Sequence, residues 1–250
     1  MKPFELLAQA QSPDGAALQL KRRDDEFMIF AGGRHLMSSR MHASEESLAA
    51  FGCRRAVALP RPTILIGGLG MGYTLRAALD LLPPGATVIV AELIPEIVDW
   101  NRGPLAHLAG HPLADPRVRV ETADVAALLA RSASANPARS RPRAKQVART
   151  AKTGRPAPRP TLDAILLDVD NGPSAFTDSA NAALYSASGI AAAHASLAPG
   201  GTLALWSAHE DREFEHRLRA ANFSVQLERA RSHANKGPRH TIYVAQKSKS

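Results

Sequence analysis

Four stretches of the sequence carry residue types whose spacing can do chemistry. Ile66-Gly67-Gly68-Leu69-Gly70-Met71-Gly72 follows the apolar run TILIGG and opens a helical pattern. Glycines there let the chain turn sharply and let a ligand approach the backbone. The free N–H groups of the helix start then face polar or anionic atoms. Glu92 ends the apolar run ATVIVAE, 24 residues beyond Gly68, and an acid at that place accepts from both hydroxyls of a ribose. Asp124, in RVRVETADVAALL, suits a helix N-cap, and in a nucleoside site it also suits an adenine amino group. Asp168 and Asp170, in DAILLDVDNGP, put two carboxylates at a strand end. Such a pair holds an ammonium group or takes a proton from an amine, and like charges this close raise one pKa, as a base requires.

Strands and helices must alternate to bring these residues together, and the pattern predicts that they do. Short strands (LQLKRR, EFMIF, RHLMSS) occupy the first 40 residues, with Gly32-Gly33 as a hairpin turn. A helix follows in SEESLAAFG, with Ser44 as N-cap and Gly52 as stop. Strands are then expected at 63–68, 86–93, 117–121, 162–168 and 202–207, and helices at 73–82, 95–101, 125–130, 181–197 and 211–222. Two further strands, 223–229 and 241–245, flank the turn SHANKGPRH and close the sheet antiparallel. The inner strands are continuous apolar runs, the mark of a parallel sheet covered on both faces. The expected fold is therefore α/β and doubly wound, with ligands at the carboxyl ends of its strands. Residues 1–50 form an N-terminal β-hairpin extension, and residues 51–250 form the Rossmann-like nucleoside-binding domain.

The net charge of +8 suggests a nucleic-acid protein until the charge is located. Residues 131–160 hold nine of the 31 Lys/Arg and no acid, which leaves 22 bases against 23 acids elsewhere. The folded part is near neutral. Residues 132–160 read as a disordered basic insertion, a solvated loop extension capable of weak phosphate contact with nucleic acid. The single cysteine, Cys53, excludes an intrachain disulfide and suits a reducing, cytoplasmic setting. No secretory leader is expected from MKPFELLAQAQSPDG. The uncharged stretch 179–209 is split by Pro199-Gly200-Gly201, so it reads as buried helix and strand and no membrane contact is expected. The histidines lack metal-ligand spacing, so no metal is expected. Trp100 and Trp206 read as packing residues.

The glycine loop, Glu92, DPRVRVETAD and the DAILLDVDNGP run resemble the spermidine synthase family, over roughly residues 24–246 apart from the basic insertion. The resemblance implies a seven-stranded class I methyltransferase-like sheet with an N-terminal β extension. It implies transfer of an aminopropyl group from decarboxylated S-adenosylmethionine to an amine acceptor, often by a homodimer. It makes Asp168 the base that activates the amine, and makes Glu92 and Asp124 the holders of ribose and adenine. Arg40 and Glu45, in SSRMHASEES, would line the site where the family has an acidic and aromatic gate.

The sequence departs from that family at three places. Its loop, GGLGMG, carries no acid, where the synthases have an aspartate that helps bind the aminopropyl chain. The spacing from Asp168 to Gly172-Pro173 is two residues shorter. The family's Phe-Tyr pair falls on Gly189 and Ile190. The loop without an acid favours an alternative, methyl transfer from intact S-adenosylmethionine, whose carboxylate a nearby aspartate would repel. A third alternative is a non-catalytic nucleotide fold whose insertion engages nucleic acid.

Overall fold

The structure is a computed structural model, and it describes residues 2–13, 15–135, 161–169, 172–173, 179–233 and 237–249. The chain opens with β1 (Glu5–Gln11), β2 (Ala17–Arg23), β3 (Glu26–Ala31) and β4 (Arg34–Ser38), an antiparallel meander in that order. Gly32 and Gly33, with φ of 53° and 77°, join β3 to β4, as a two-residue hairpin turn of this twist requires. Leu18 and Leu20 of β2 and Phe27 and Ile29 of β3 alternate inward onto the main core. The sequence pattern gives three strands here and the structure has four. The extra one, β1, is an edge strand with no fully buried residue, so its sequence ELLAQAQ lacks the alternation that burial would impose.

Next comes α1 (Ala43–Cys53), and the boundary read at residue 50 falls inside it. Its flanks differ from the expected ones. Ser44 lies within the helix, whose N-cap is His42, and the Ser44 hydroxyl donates to Glu45 Oε2 at 2.5 Å instead of capping. Gly52 does not stop the helix. A Cβ at Gly52 would lie 3.0 Å from both Ala204 Cβ and Leu166 Cγ, so this glycine lets α1 press against the large sheet. Gly52→Ala should therefore destabilise the protein by roughly 1–2 kcal/mol in urea unfolding. An exposed helix would respond with a gain of up to about 1 kcal/mol, so the sign of the change checks the contact.

The large sheet then forms: β5 (Thr63–Gly67), α2 (Tyr73–Leu81), β6 (Thr87–Glu92), α3 (Pro95–Arg102), β7 (Val118–Thr122), α4 (Val125–Ala135), β8 (Leu162–Leu167), α5 (Ser179–Tyr185), α6 (Ala187–Ser196), β9 (Leu197–Ser207), α7 (Arg212–Ala220), β10 (Phe223–Arg231) and β11 (Arg239–Lys247). Its order is β10-β11-β9-β8-β5-β6-β7. All neighbours are parallel except β11, which runs antiparallel to β9 and β10. This is the expected doubly wound seven-stranded, methyltransferase-like sheet. Ile64 and Ile66 of β5 pack into one core layer, and Leu65 packs into the other, which is why these strands read as unbroken apolar runs.

Two helices depart from the expected outline. The helix expected over 181–197 is two helices. Ser186 breaks it and caps α6, its hydroxyl accepting from the Gly189 N–H at 3.1 Å. The helix α4 runs on to Ala135, so the first four residues of the expected insertion are helical; 136–160 lie outside the described residues. Among the described residues, no helix is long and apolar enough to cross a membrane.

Candidate active site

From β5 the chain winds outward to β6 and β7, then returns to place β8 on the other side of β5. The carboxyl ends of β5 and β8 thus flank the topological switch point, where α/β sheets of this kind bind ligands. A cavity of about 380 Å³ opens there, and its wall includes Gly68, Gly70, Glu92, Asp124 and Asp168. With Glu45, six of the ten site candidates singled out in the sequence are thereby brought into one space.

The glycine loop is built from several constraints. The Gly68 N–H donates to Ala91 O at 2.9 Å, and Asp168 N–H donates to Gly67 O at 2.9 Å. Gly68 has φ of +85°, and a Cβ there would stand 2.3 Å from the Asp168 carbonyl oxygen. Only glycine fits. Gly70 turns at φ +52° against Met37 of β4, and its carbonyl accepts from Asn101 Nδ2 at 2.8 Å. Gly67 and Gly72 are not on the cavity wall. Gly67 makes room for Val125 of α4, and Gly72, at φ +84°, caps α2 against Asn101. Their work is to position the loop. Asn101, only 1% exposed, is a residue the sequence reading missed. Its signal is a polar side chain at an otherwise apolar helix position.

Glu92 is buried and clamps the loop. Its Oε2 accepts from Leu69 N–H at 2.9 Å and its Oε1 from Ile94 N–H at 3.0 Å. Burial raises its pKa, and these backbone donors offset part of the rise. Each carboxylate oxygen keeps a lone pair for a further donor. Asp124 does what an N-cap does, its Oδ1 accepting from Ala126 N–H at 2.8 Å, while it also faces the cavity. The N-cap reading holds in the geometry, and the residue borders the cavity as well.

Asp168 lies just past β8. The Thr74 hydroxyl, in the first turn of α2, donates to its Oδ2 at 2.7 Å. Loss of solvent around Asp168 raises its pKa, and the Thr74 bond opposes the rise. Asp170 lies outside the described residues.

From the N-terminal side, Glu45 enters the cavity wall from the first turn of α1. It is 7% exposed. Burial, then the charge of Asp168, push its pKa up to about 7, against the opposing Ser44 hydrogen bond. Arg40 does not join it on that wall. Its side chain is 61% exposed and stands 3.7 Å from Glu26.

The far wall comes from β9 and the β10–β11 turn. Trp206, read from the sequence as packing, lines the cavity with its ring 4.6 Å from that of His240, while Trp100 is a core residue. His240 Nε2 pairs with the Ser232 hydroxyl at 2.7 Å, and burial lowers the His240 pKa. No local motif foretells this wall, because residues about 35 apart in sequence meet only through the antiparallel β9–β11 pairing. Ile190, where the family pattern would place an aromatic, is buried in the core.

The arrangement defines a class of protein: a methyltransferase-like α/β fold with an acid-lined cavity at its switch point, walled in part by Glu45, Glu92, Asp124 and Asp168. Solved structures that share the fold include spermidine synthases. The enzyme from Thermotoga maritima superposes with a TM-score of 0.67 over 98% of this chain and 74% of that one, at 16% identity. A spermidine synthase in complex with the transition-state analogue AdoDATO gives 0.66 over 98% and 73%, also at 16% identity. A probable spermidine synthase from Corynebacterium glutamicum ATCC 13032 gives 0.62 over 100% and 81%, at 17% identity. No protein-family model matches the chain, and no curated protein matches it by sequence. The likeness is one of fold.

Proposed function

We propose that this protein is a transferase that moves the aminopropyl group of decarboxylated S-adenosylmethionine to an amine. The observation that carries this reading is the division of one cavity into two chemistries. Gly68, Gly70, Glu92 and Asp124 offer a nucleoside wall, and Asp168 and Glu45 offer acids beside it. The co-substrate brings a sulfonium, so its carbon is already activated, and the protein's tasks are positioning and proton removal. In this reading Glu92 accepts from ribose, Asp124 from adenine, and Asp168 takes the amine's proton. That one spermidine synthase of the same fold holds AdoDATO supports the assignment of the cavity.

Methyl transfer is the second reading, and the acid-free loop favours it. The acid contributed by α1 weighs against it. Glu45 returns to the cavity an acid that the loop lacks, and its ionised form opposes the carboxylate of intact S-adenosylmethionine.

Thermal unfolding with each ligand tests the choice. Decarboxylated S-adenosylmethionine at about 100 times its Kd should stabilise by roughly 2.7 kcal/mol, which is a Tm rise of about 5–10 °C for a chain of this size. A larger rise with intact S-adenosylmethionine would make the protein a methyltransferase. No rise with either, or with 5′-methylthioadenosine, would remove both readings.

A further inference from the structure

Two carboxylates meet in this cavity from different parts of the fold. Asp168 comes from the end of β8, held by Thr74, and Glu45 comes from the first turn of α1, held by Ser44. The two other acids on the cavity wall, Glu92 and Asp124, are each engaged by backbone N–H groups on the nucleoside side. Among the described residues, Glu45 forms no ion pair with a basic side chain. The side chains that act on it include Ser44 and Glu46 of its own helix, Asp168 just past β8 and Tyr73 of α2. Three of these four are acidic or weakly acidic, and none is a cation. A buried acid facing a second acid without a counter-ion is costly unless a proton or a cation occupies the space between them.

We propose that Glu45 and Asp168 form a dyad that captures the acceptor as its ammonium ion and removes a proton from it. The proposal rests on the amine-acceptor reading above and adds a residue to it. An alkyl amine free in water near pH 7 is protonated, so the nucleophile must shed a proton before it can attack. The ammonium displaces the proton that the dyad holds, and that proton leaves to solvent. One N–H proton of the ammonium then passes to a dyad carboxylate, leaving a neutral amine. Its lone pair forms the new N–C bond as the C–S bond breaks and its electron pair returns to sulfur. The product is a secondary ammonium and a neutral thioether, and the sulfonium charge has become the charge on nitrogen.

Calorimetric titration of butylamine into the full chain with 5′-methylthioadenosine, in buffers of different ionisation enthalpy, reads both affinity and proton release. At pH 7 the wild type should release about half a proton or more per amine bound, because a group titrating near 7 is half protonated there. Glu45→Gln should weaken butylamine at least tenfold and lose most of that release. Ser44→Ala removes a bond that favours the charged form, so the pH at which amine affinity is half-maximal should move upward. Equal affinity and equal proton release in wild type and E45Q would overturn the dyad, as would failure of the wild type to bind butylamine between pH 7 and 9. An unmoved midpoint in S44A would do the same. The two proposals fail separately. Amine capture with proton release but no aminopropyl transfer keeps the dyad and removes the reaction. Transfer that E45Q leaves untouched keeps the reaction and removes the dyad.

Discussion

If the proposed aminopropyl transfer is the reaction, Asp168→Asn should lower its turnover by about 10²–10⁴-fold, the usual contribution of a positioned general base. The substitution is close to isosteric. An asparagine Oδ1 still accepts from the Thr74 hydroxyl, which now reaches Asp168 Oδ2 at 2.7 Å. The backbone around it is held independently, by the Asp168 N–H on Gly67 O. The nucleoside wall is separate from this side chain, so the thermal shift given by 5′-methylthioadenosine should survive in D168N. The expected signature is a fall in kcat with little change in the apparent affinity for the decarboxylated co-substrate. Steady-state rates with saturating amine check this, and a D168N enzyme within about threefold of the wild type would remove Asp168 from the chemistry.

Part of this site is legible in the sequence because it is local. A glycine-rich turn after an apolar strand, an acid at the end of the next strand and an Asp before a helix each depend on neighbours a few residues away. Backbone geometry alone brings Gly68, Glu92, Asp124 and Asp168 to one edge of the sheet. What the sequence does not disclose is what long-range packing decides. Gly67 and Gly72 carry the same motif as Gly68 and Gly70 yet face Val125 and Asn101 instead of the cavity. Gly52 looks like a helix stop, and it is a contact with Leu166 and Ala204, more than a hundred residues away. Ser44 has the residue type of an N-cap, but its hydroxyl is taken by Glu45. The placing of Trp206 beside His240 depends on the register of β11 against β9, in which Ile242 opposes Trp206. Glu45 and Arg40, five residues apart, look alike as candidates for the cavity. The helical turn at Ala43 sends only Glu45 inward.

Glu45→Gln stabilises the folded protein at pH 8 by about 3 kcal/mol while it weakens the site. The sign follows from the direction of the shift. A carboxyl whose pKa rises from 4.5 unfolded to about 7 folded binds its proton more tightly in the native state. Between those two values the native state therefore holds more protons than the unfolded one, and stability falls as pH rises. Below pH 4.5 both states are protonated and nothing is lost. Above about pH 7 the whole difference is lost, about 3 kcal/mol at 1.36 kcal/mol per unit. Glutamine accepts the Ser44 hydrogen bond without the buried charge, so its stability does not carry this pH dependence. In a chain of this length the gain at pH 8 is a Tm higher by about 6–12 °C, and the two proteins should converge toward pH 5. Thermal unfolding from pH 5 to 9 measures it, and parallel curves would show that Glu45 does not titrate in this range. A substitution that strengthens the fold and weakens amine binding separates function from packing. Bound amine supplies the cation the dyad lacks, so butylamine with 5′-methylthioadenosine should narrow the pH 8 gap between wild type and E45Q.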